Sequence, residues 1–388
     1  MLSYKKFVKI YILFFLIIFI IYSLLFIFSY TFIVKTGENL SIQDIVKLQN
    51  KEPHLYAQIA DVSTFDYMLE LLKLKKPKII AIGSSRVMQF RQEMFKNSFV
   101  TTGGVMPNVR SGRVFLEEML KIHKPDKIIL GLDIWWFNPN YTYNKYEVEK
   151  YNKEKKNTLH QIDMIIKYVF DGKIKLSELI LPDRYKNKKL NIRTIGYSAY
   201  KNGDGTMSDG SHFYGADYYS GTKTVNDEKF KNTFDRIENG NGRFQTGENV
   251  DKNALGELNK IIEICENNNI KLILFFPPFA NSVYEKMQSK SNDYKYIDNL
   301  KKYLNNKKIK YFDFENPDKL NSCNCEFIDG FHGGNVTYAK IAMALLPDDV
   351  VNNLDEIINK NKNRALIKFH PEYYNFEETD FLKIGCKK

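Results

Sequence analysis

"KIIAIGSSRVMQF", residues Lys78–Phe90, decides how the chain is read. An apolar run ends at Gly83, two hydroxyls follow, and the pattern restarts as a helix. A short apolar run without alternation suits a strand of a parallel sheet covered on both faces. Gly83 at the strand end permits a sharp turn. The next helix then points its N-terminal amides toward whatever sits there, and those amides favour developing negative charge. Ser85 would stand in that first turn, beside free backbone donors. Serine at a strand–helix junction commonly caps the helix, so this stretch alone leaves both a cap and a nucleophile open.

Four more runs have the same character: Phe99–Thr102, Lys127–Leu132, Lys271–Phe276 and Ile309–Phe314. Helical stretches lie between most of them. Ser111–Lys127 puts Val114, Phe115, Met119 and Ile122 near one face and stops before Pro125. Asn253–Asn269 does the same with Leu255, Leu258, Ile261, Ile262 and Cys265. Alternating strand and helix predicts an open α/β sheet over 78–346. Residues 35–77 read as a connecting helical segment, and 347–388 as a tail without a strong signal. The third and fourth strands are separated by an insertion of about 139–252, rich in Tyr, Lys, Asn, Asp and Gly. "LHQIDMIIKYVFDG" in it predicts a helix, and "NGDGTMSDGSHFYG" predicts turns and short hairpins. "KYEVEKYNKEKKN" (Lys145–Asn157) alternates in charge and reads as a solvated face. A long insertion in an α/β enzyme commonly forms a cap beside the strand ends.

Tyr11–Val34 contains no charged residue. At about 1.5 Å per residue it spans roughly 36 Å, enough to cross a hydrocarbon core of about 30 Å. It is too long, and ends in residues too large, for a cleaved signal peptide. Residues 1–34 are therefore expected to form a cytoplasmic stub and a retained anchor. Lys5, Lys6 and Lys9 precede the run, which places the N-terminus in the cytoplasm and the remainder outside.

The chain of 388 residues is 44% hydrophobic, which excludes bulk disorder. Its formal charge of +11 suits anionic wall polymers or lipid headgroups better than nucleic acid in that compartment. Cys265, Cys323, Cys325 and Cys386 make no disulfide framework and read as structural or incidental thiols. No zinc-finger spacing, P-loop or GxGxxG is present, and no cofactor or metal is expected.

A serine hydroxyl needs a base before it can attack. Two stretches offer Asp-x-x-His: "DGFH" (Asp329–His332) and "DGSH" (Asp209–His212). A carboxylate three residues before a histidine can reach its Nδ1 and fix the tautomer. Only the first follows the last strand, where loops at the C-terminal strand ends share one crevice. His332 is therefore the expected base, and His212 in its Gly-rich turn the expected solvent-exposed histidine.

These blocks resemble the SGNH/GDSL hydrolase superfamily. Gly83-Ser84-Ser85 stands where the superfamily has Gly-Asp-Ser, and Asp329-x-x-His332 where it has its Asp-x-x-His block. The resemblance implies a flavodoxin-like, three-layer, five-stranded parallel sheet with Ser85 as nucleophile, His332 as base and Asp329 as its partner. In "TTGGVMPN" it implies Gly104, with Gly103 as the alternative, as an oxyanion donor beside the Ser85 amide. One block departs. "GLDIWWFNPN" has Asp133 near the usual Asn donor, with Asn138 displaced from it. Trp135, Trp136 and Phe137 read either as core or as an apolar wall for an acyl group.

The single anchor and the Gly-Ser-Ser start look like the DltD-type proteins, although Arg86 stands where those commonly have Glu. The resemblance implies serine-dependent acyl transfer on a cell-envelope polymer, such as D-alanylation or O-acetylation of teichoic acid or an exported polysaccharide. It implies as partners the membrane, that polymer and a membrane-bound O-acyltransferase. A deacylating esterase and a non-catalytic binding protein are the alternatives.

Overall fold

The computed structural model describes residues 4–59, 63–142, 157–180, 186–187, 192–215 and 227–360. The tail beyond Lys360 and all of the charged run except Asn157 lie outside them. In chain order come α1 (Tyr4–Thr36), α2 (Ile42–Lys51), β1 (His54–Tyr56), α3 (Thr64–Lys75), β2 (Ile79–Gly83), β3 (Phe99–Gly103), α4 (Val109–Leu120) and β4 (Lys127–Gly131). The region of the insertion holds α5 (Thr158–Phe170), α6 (Leu176–Ile180), β5 (Lys186–Asn187), β6 (Ile192–Ile195), α7 (Tyr197–Asn202), β7 (Gly205–Thr206), β8 (His212–Phe213) and a helix at Lys231–Glu238. A helix at Lys252–Asn267 leads to β9 (Lys271–Phe276). Helices at Asn281–Ser289 and Lys295–Asn306 lead to β10 (Tyr311–Asp313), and Asn335–Leu345 and Leu354–Lys360 follow.

The five expected strands form one parallel sheet in the order β10-β9-β4-β2-β3. Numbered along the chain this is 2-1-3-4-5, a doubly wound order whose ligand crevice lies where the direction reverses, between β2 and β4. β2 explains its own apolar composition. Ile80 and Ile82 join one core with Phe115, Leu116 and Leu258 from the flanking helices. Ile79 and Ala81 join another with Phe90, Tyr338 and Ile341 on the opposite face. Each fully buried Ile contributes about 1.5–3 kcal/mol, so both faces hold the strand in the middle of the sheet.

A second five-stranded sheet, β5-β6-β1-β7-β8, was not anticipated. β1 lies at its centre, parallel to β6 and antiparallel to β7. The connecting segment is thus helical at α2 and α3 but also supplies this strand. The insertion shares a sheet with it and is no self-contained cap. His54-Leu55-Tyr56 is too short to announce a strand by periodicity. The β7–β8 hairpin docks on the parallel sheet: the Thr101 amide donates to the Asp209 carbonyl (3.0 Å) and the His212 amide to that of Met88 (3.1 Å).

α1 is long and apolar enough to cross a membrane. Its last turns do not stand free. Ser29, Phe32, Ile33 and Thr36 are buried, and Phe32 and Ile33 pack with Ile162, Ile165, Ile166, Leu179 and Tyr197 of α5, α6 and α7. Just beyond, buried Glu38 accepts from the amides of Ile59 (3.2 Å) and Tyr197 (2.7 Å). The Gly196 amide caps the Thr36 carbonyl at 2.7 Å. Helix and domain are joined by a packed, hydrogen-bonded seam. Among the described cysteines, Cys265 and Cys323 are free, and Cys323 Sγ lies 2.7 Å from Cys325 Sγ.

Candidate active site

β2 delivers Gly83 to the point where the sheet reverses. The glycine is needed there for space: a Cβ would lie 2.8 Å from the Val87 side chain, which folds back over the strand end. The chain then makes only a 3-10 turn, Ser85–Val87, where a full helix was expected. Ser84 is its N-cap, accepting from the Arg86 amide at 3.2 Å. So short a turn carries little macrodipole. What it provides is orientation: Ser84 is spent as a cap, and Ser85 is turned outward with its amide engaged in no described hydrogen bond.

The Ser85 hydroxyl lies 2.8 Å from Nε2 of His332. Nδ1 of His332 lies 2.7 Å from Oδ2 of Asp329. The other carboxylate oxygen, Oδ1, accepts from the amides of Phe331 (2.9 Å) and His332 (2.8 Å). Burial alone would raise the Asp329 pKa, but the charge and hydrogen bonds of His332 and the two amides outweigh it and hold it below the usual carboxylate range. Asp329 is therefore ionised at neutral pH. It fixes the Nδ1–H tautomer, which leaves Nε2 free to accept the Ser85 proton.

The loop carrying Asp329 and His332 is braced from both sides. Gly330 donates to Asp227 Oδ2 at 3.0 Å, and Asp227 also binds both the amide (2.9 Å) and the hydroxyl (2.6 Å) of Thr233. A Cβ on Gly330 would meet Thr233 at 2.6 Å. On the other side stands Arg86, 2% exposed. It donates to the carbonyls of Phe331 (2.9 Å), Pro277 (2.8 Å) and Pro278 (2.7 Å) and pairs with Asp133 at 3.2 Å. Its guanidinium also covers the rings of Trp135 and Phe279. One side chain thus ties the ends of β2, β4 and β9 to the base's loop. Burial pushes the Asp133 pKa up, against the charge of Arg86 and a contribution from Ser84.

The Gly104 amide, an expected oxyanion donor, and the displaced Asn138 side chain are both engaged elsewhere. The Gly104 amide already donates to the Gly83 carbonyl at 3.0 Å, so it reaches an oxyanion only by giving that bond up. Gly104 itself is exposed, at φ 90°. The Asn138 amide donates to the carbonyls of Gln245 (2.6 Å) and Thr246 (3.3 Å), pinning that loop. Gly103 pairs with Gly83 within the sheet. The Ser85 amide remains. Trp135, Trp136 and Phe137 are all buried to 2% exposure or less and belong to the core.

His212 is not the solvent-exposed histidine the sequence suggested. It is part-buried, and its carbonyl accepts from Gln89 (2.8 Å) and Arg91 (3.2 Å). Burial first, then the charges of Arg91 and His332, lower its pKa to about 4. It is a neutral second histidine beside the first. Asp209 does not orient it. That carboxylate accepts from the Gln92 amide (2.9 Å) and from the Ser211 amide and hydroxyl. Buried Arg91 joins this hairpin to the parallel-sheet body, donating to Ser211 Oγ (2.7 Å) and to Asn335 Oδ1 (3.2 Å) just after the loop that carries His332.

Arg243 was also missed. Its guanidinium lies 5.5 Å from the Trp135 ring centre and 4.9 Å from that of Phe331, whose ring is 4.5 Å from that of His332. Among the described residues it makes no ion pair or hydrogen bond. Arg86 could have been noticed as a lone charge between the serines and Val87. Nothing in the local sequence marks Asp227 or Arg243. No protein-family model matches the chain, and no curated protein matches it.

Proposed function

We propose that this chain is an SGNH-type serine enzyme of the cell envelope, anchored by α1 with its N-terminus in the cytoplasm. It transfers an acyl group onto a hydroxyl of an envelope polymer, a teichoic acid or an exported polysaccharide. The observation carrying this reading is the continuous chain from Ser85 through His332 to Asp329, at 2.8 and 2.7 Å. These distances meet the geometric requirement on a nucleophile, its base and the base's orienting group. In the proposed reaction Ser85 Oγ attacks the acyl carbonyl while His332 Nε2 takes its proton. The Ser85 amide faces the developing oxyanion. Collapse breaks the bond to the leaving group, which receives the proton from His332 and leaves an acyl-Ser85 ester. An acceptor hydroxyl then attacks, gives its proton to His332, and departs acylated as Ser85 regains the proton. With water as acceptor the same steps describe an esterase.

The preference for a polymer acceptor rests on α1. A tethered site is held where an acyl donor handed out by an integral-membrane acyltransferase would emerge, which raises the donor's effective concentration. The test has two parts. A fluorophosphonate probe should label Ser85; absence of labelling would leave a binding protein. An acylated donor is then supplied with and without purified wall polymer. Acyl groups should appear on the polymer. Free acid released at an unchanged rate, with an unmodified polymer, would establish the esterase instead.

A further inference from the structure

We propose that the outer faces of α5 and α6 lie in the boundary layer of the lipid bilayer, as a second membrane contact beside α1. The proposal rests on the reading of α1 as a membrane span. The domain begins to grip α1 at Phe26 and Phe28, which pack against the core formed with α5, α6 and α7. Below that grip, Tyr11–Leu25 spans only roughly 22 Å at about 1.5 Å per residue, short of a hydrocarbon core of about 30 Å. The missing thickness must come from the stretch of α1 that the domain already covers on one side. On its other side that stretch shows Ile27 and Tyr30, each about half exposed and suited to lipid. α5 and α6 therefore reach bilayer depth.

Their surface has the matching chemistry. Leu159 (63% exposed), Phe170 (77%), Leu176 (54%) and Ile180 (56%) project from α5 and α6. Large apolar side chains this exposed, clustered on two neighbouring short elements, mark an interaction surface. Continuity with α1 makes lipid its occupant. Helices packed against a span, with Phe and Leu turned outward, behave as interfacial elements that bury their apolar side in the headgroup and acyl boundary. The consequence for the enzyme is orientation. With two contacts the domain cannot swivel about α1, and the crevice at Ser85 keeps one attitude toward the membrane.

The test places the photo-crosslinking residue p-benzoylphenylalanine singly at Phe19, Phe170 or Phe312 of the full chain. Each variant is reconstituted in phosphatidylglycerol–phosphatidylethanolamine vesicles, and adducts are identified by mass spectrometry. Phe19 lies in the span, and Phe312 is an exposed aromatic on the edge strand β10. Lipid adducts are expected at Phe19 and Phe170, with at least about tenfold less at Phe312. Lipid at Phe19 but none at Phe170 overturns the proposal and leaves the span intact. Equal yields at Phe170 and Phe312, or a cross-link from Phe170 to a second copy of the chain, also overturn it. Lipid at neither Phe19 nor Phe170 overturns the span, and this proposal with it.

Discussion

Arg86, the residue after the proposed nucleophile, donates through Nε to the carbonyl of Phe331, the residue before the proposed base, at 2.9 Å. The same guanidinium neutralises Asp133, 1% exposed. Arg86→Met would leave Asp133 as a buried, unpaired acid, at a cost of about 3–5 kcal/mol. The double variant Arg86→Met/Asp133→Leu should recover much of that stability, because the apolar pair leaves no charge stranded. Its probe labelling should stay slow, since the tie to Phe331 is still missing. Thermal denaturation of the four proteins in detergent measures the coupling. Additive losses would show that the two residues do not act as a pair.

Ser85→Ala is expected to abolish fluorophosphonate labelling and leave the melting temperature nearly unchanged, because the hydroxyl is small and part-buried and its one described hydrogen bond is to His332. Ser84→Ala should behave the opposite way. It removes an N-cap, worth about 0.5–2 kcal/mol, and keeps the label. If Ser84→Ala lost the label and Ser85→Ala kept it, the roles of the two serines would have to be exchanged.

The parallel sheet was legible because its signals are local. Each strand is a short apolar run between turn residues; β2 and β3 are buried throughout and β4 nearly so, while β10 at the sheet edge is only partly covered. Ser85, Asp329 and His332 were legible because the chain order of strands fixes which loops meet. What stayed hidden was long-range. β1 pairs with β6 across well over a hundred residues and is too short to show a period. The bond from the Gly104 amide to the Gly83 carbonyl, which that amide must give up to meet an oxyanion, is likewise nothing sequence can reveal. Arg86 looked like a departure from a motif. It is the charge that holds three strand ends together, and its sense depends on Asp133 and Phe331, far away in the sequence. His212 was misjudged because a Gly-rich turn suggests exposure, whereas Arg91 and Gln89 draw its backbone onto the catalytic face.

His212 gives the protein an acid sensitivity with a definite sign. Its folded pKa is about 4, lowered by burial, Arg91 and His332 from an ordinary value of 6.5. Below 6.5 the unfolded chain takes up a proton that the folded chain refuses until about pH 4. Stability therefore falls as pH drops through that window, and this contribution levels off below it. At about 1.4 kcal/mol per pKa unit the full effect is at most roughly 3 kcal/mol, less for a part-buried ring. His212→Gln should show a smaller drop in melting temperature between pH 7 and pH 5 than the wild type. Identical drops would exclude His212 as the group responsible.

Asp329→Asn should keep the fold and slow the chemistry. The amide can still accept from the Phe331 and His332 backbone, but it no longer fixes Nδ1–H or balances the imidazolium. In a serine triad this loss is worth about 10⁴ in rate. Single-turnover labelling across pH 6–9 measures it. A variant within about threefold of the wild type would remove Asp329 from the proposed mechanism.

Arg243 supplies the sharpest test of the proposed acceptor. Its charge sits against Trp135 and Phe331, one ring away from His332, and acts on buried Asp133, while among the described residues it makes no ion pair or hydrogen bond. Stacking on two aromatic faces holds the guanidinium plane in place while leaving its N–H edge to bind something else. A group of that kind, beside Ser85, His332 and Asp329, would fit an anionic repeat of the proposed acceptor polymer. A charge-assisted contact of about 1.5–3 kcal/mol corresponds to roughly ten- to a hundredfold in binding. Arg243→Ala should therefore raise KM for an anionic polymer acceptor by about tenfold or more, with turnover of a small neutral ester unchanged. Arg243→Lys keeps the charge but loses the planar fork, and should fall between the two. The neutral ester separates recognition from damage to the site. If both substrates suffer equally, Arg243 merely supports Phe331 and the base. If neither responds, the acceptor is held elsewhere, and the open edge of this guanidinium has no part in choosing it.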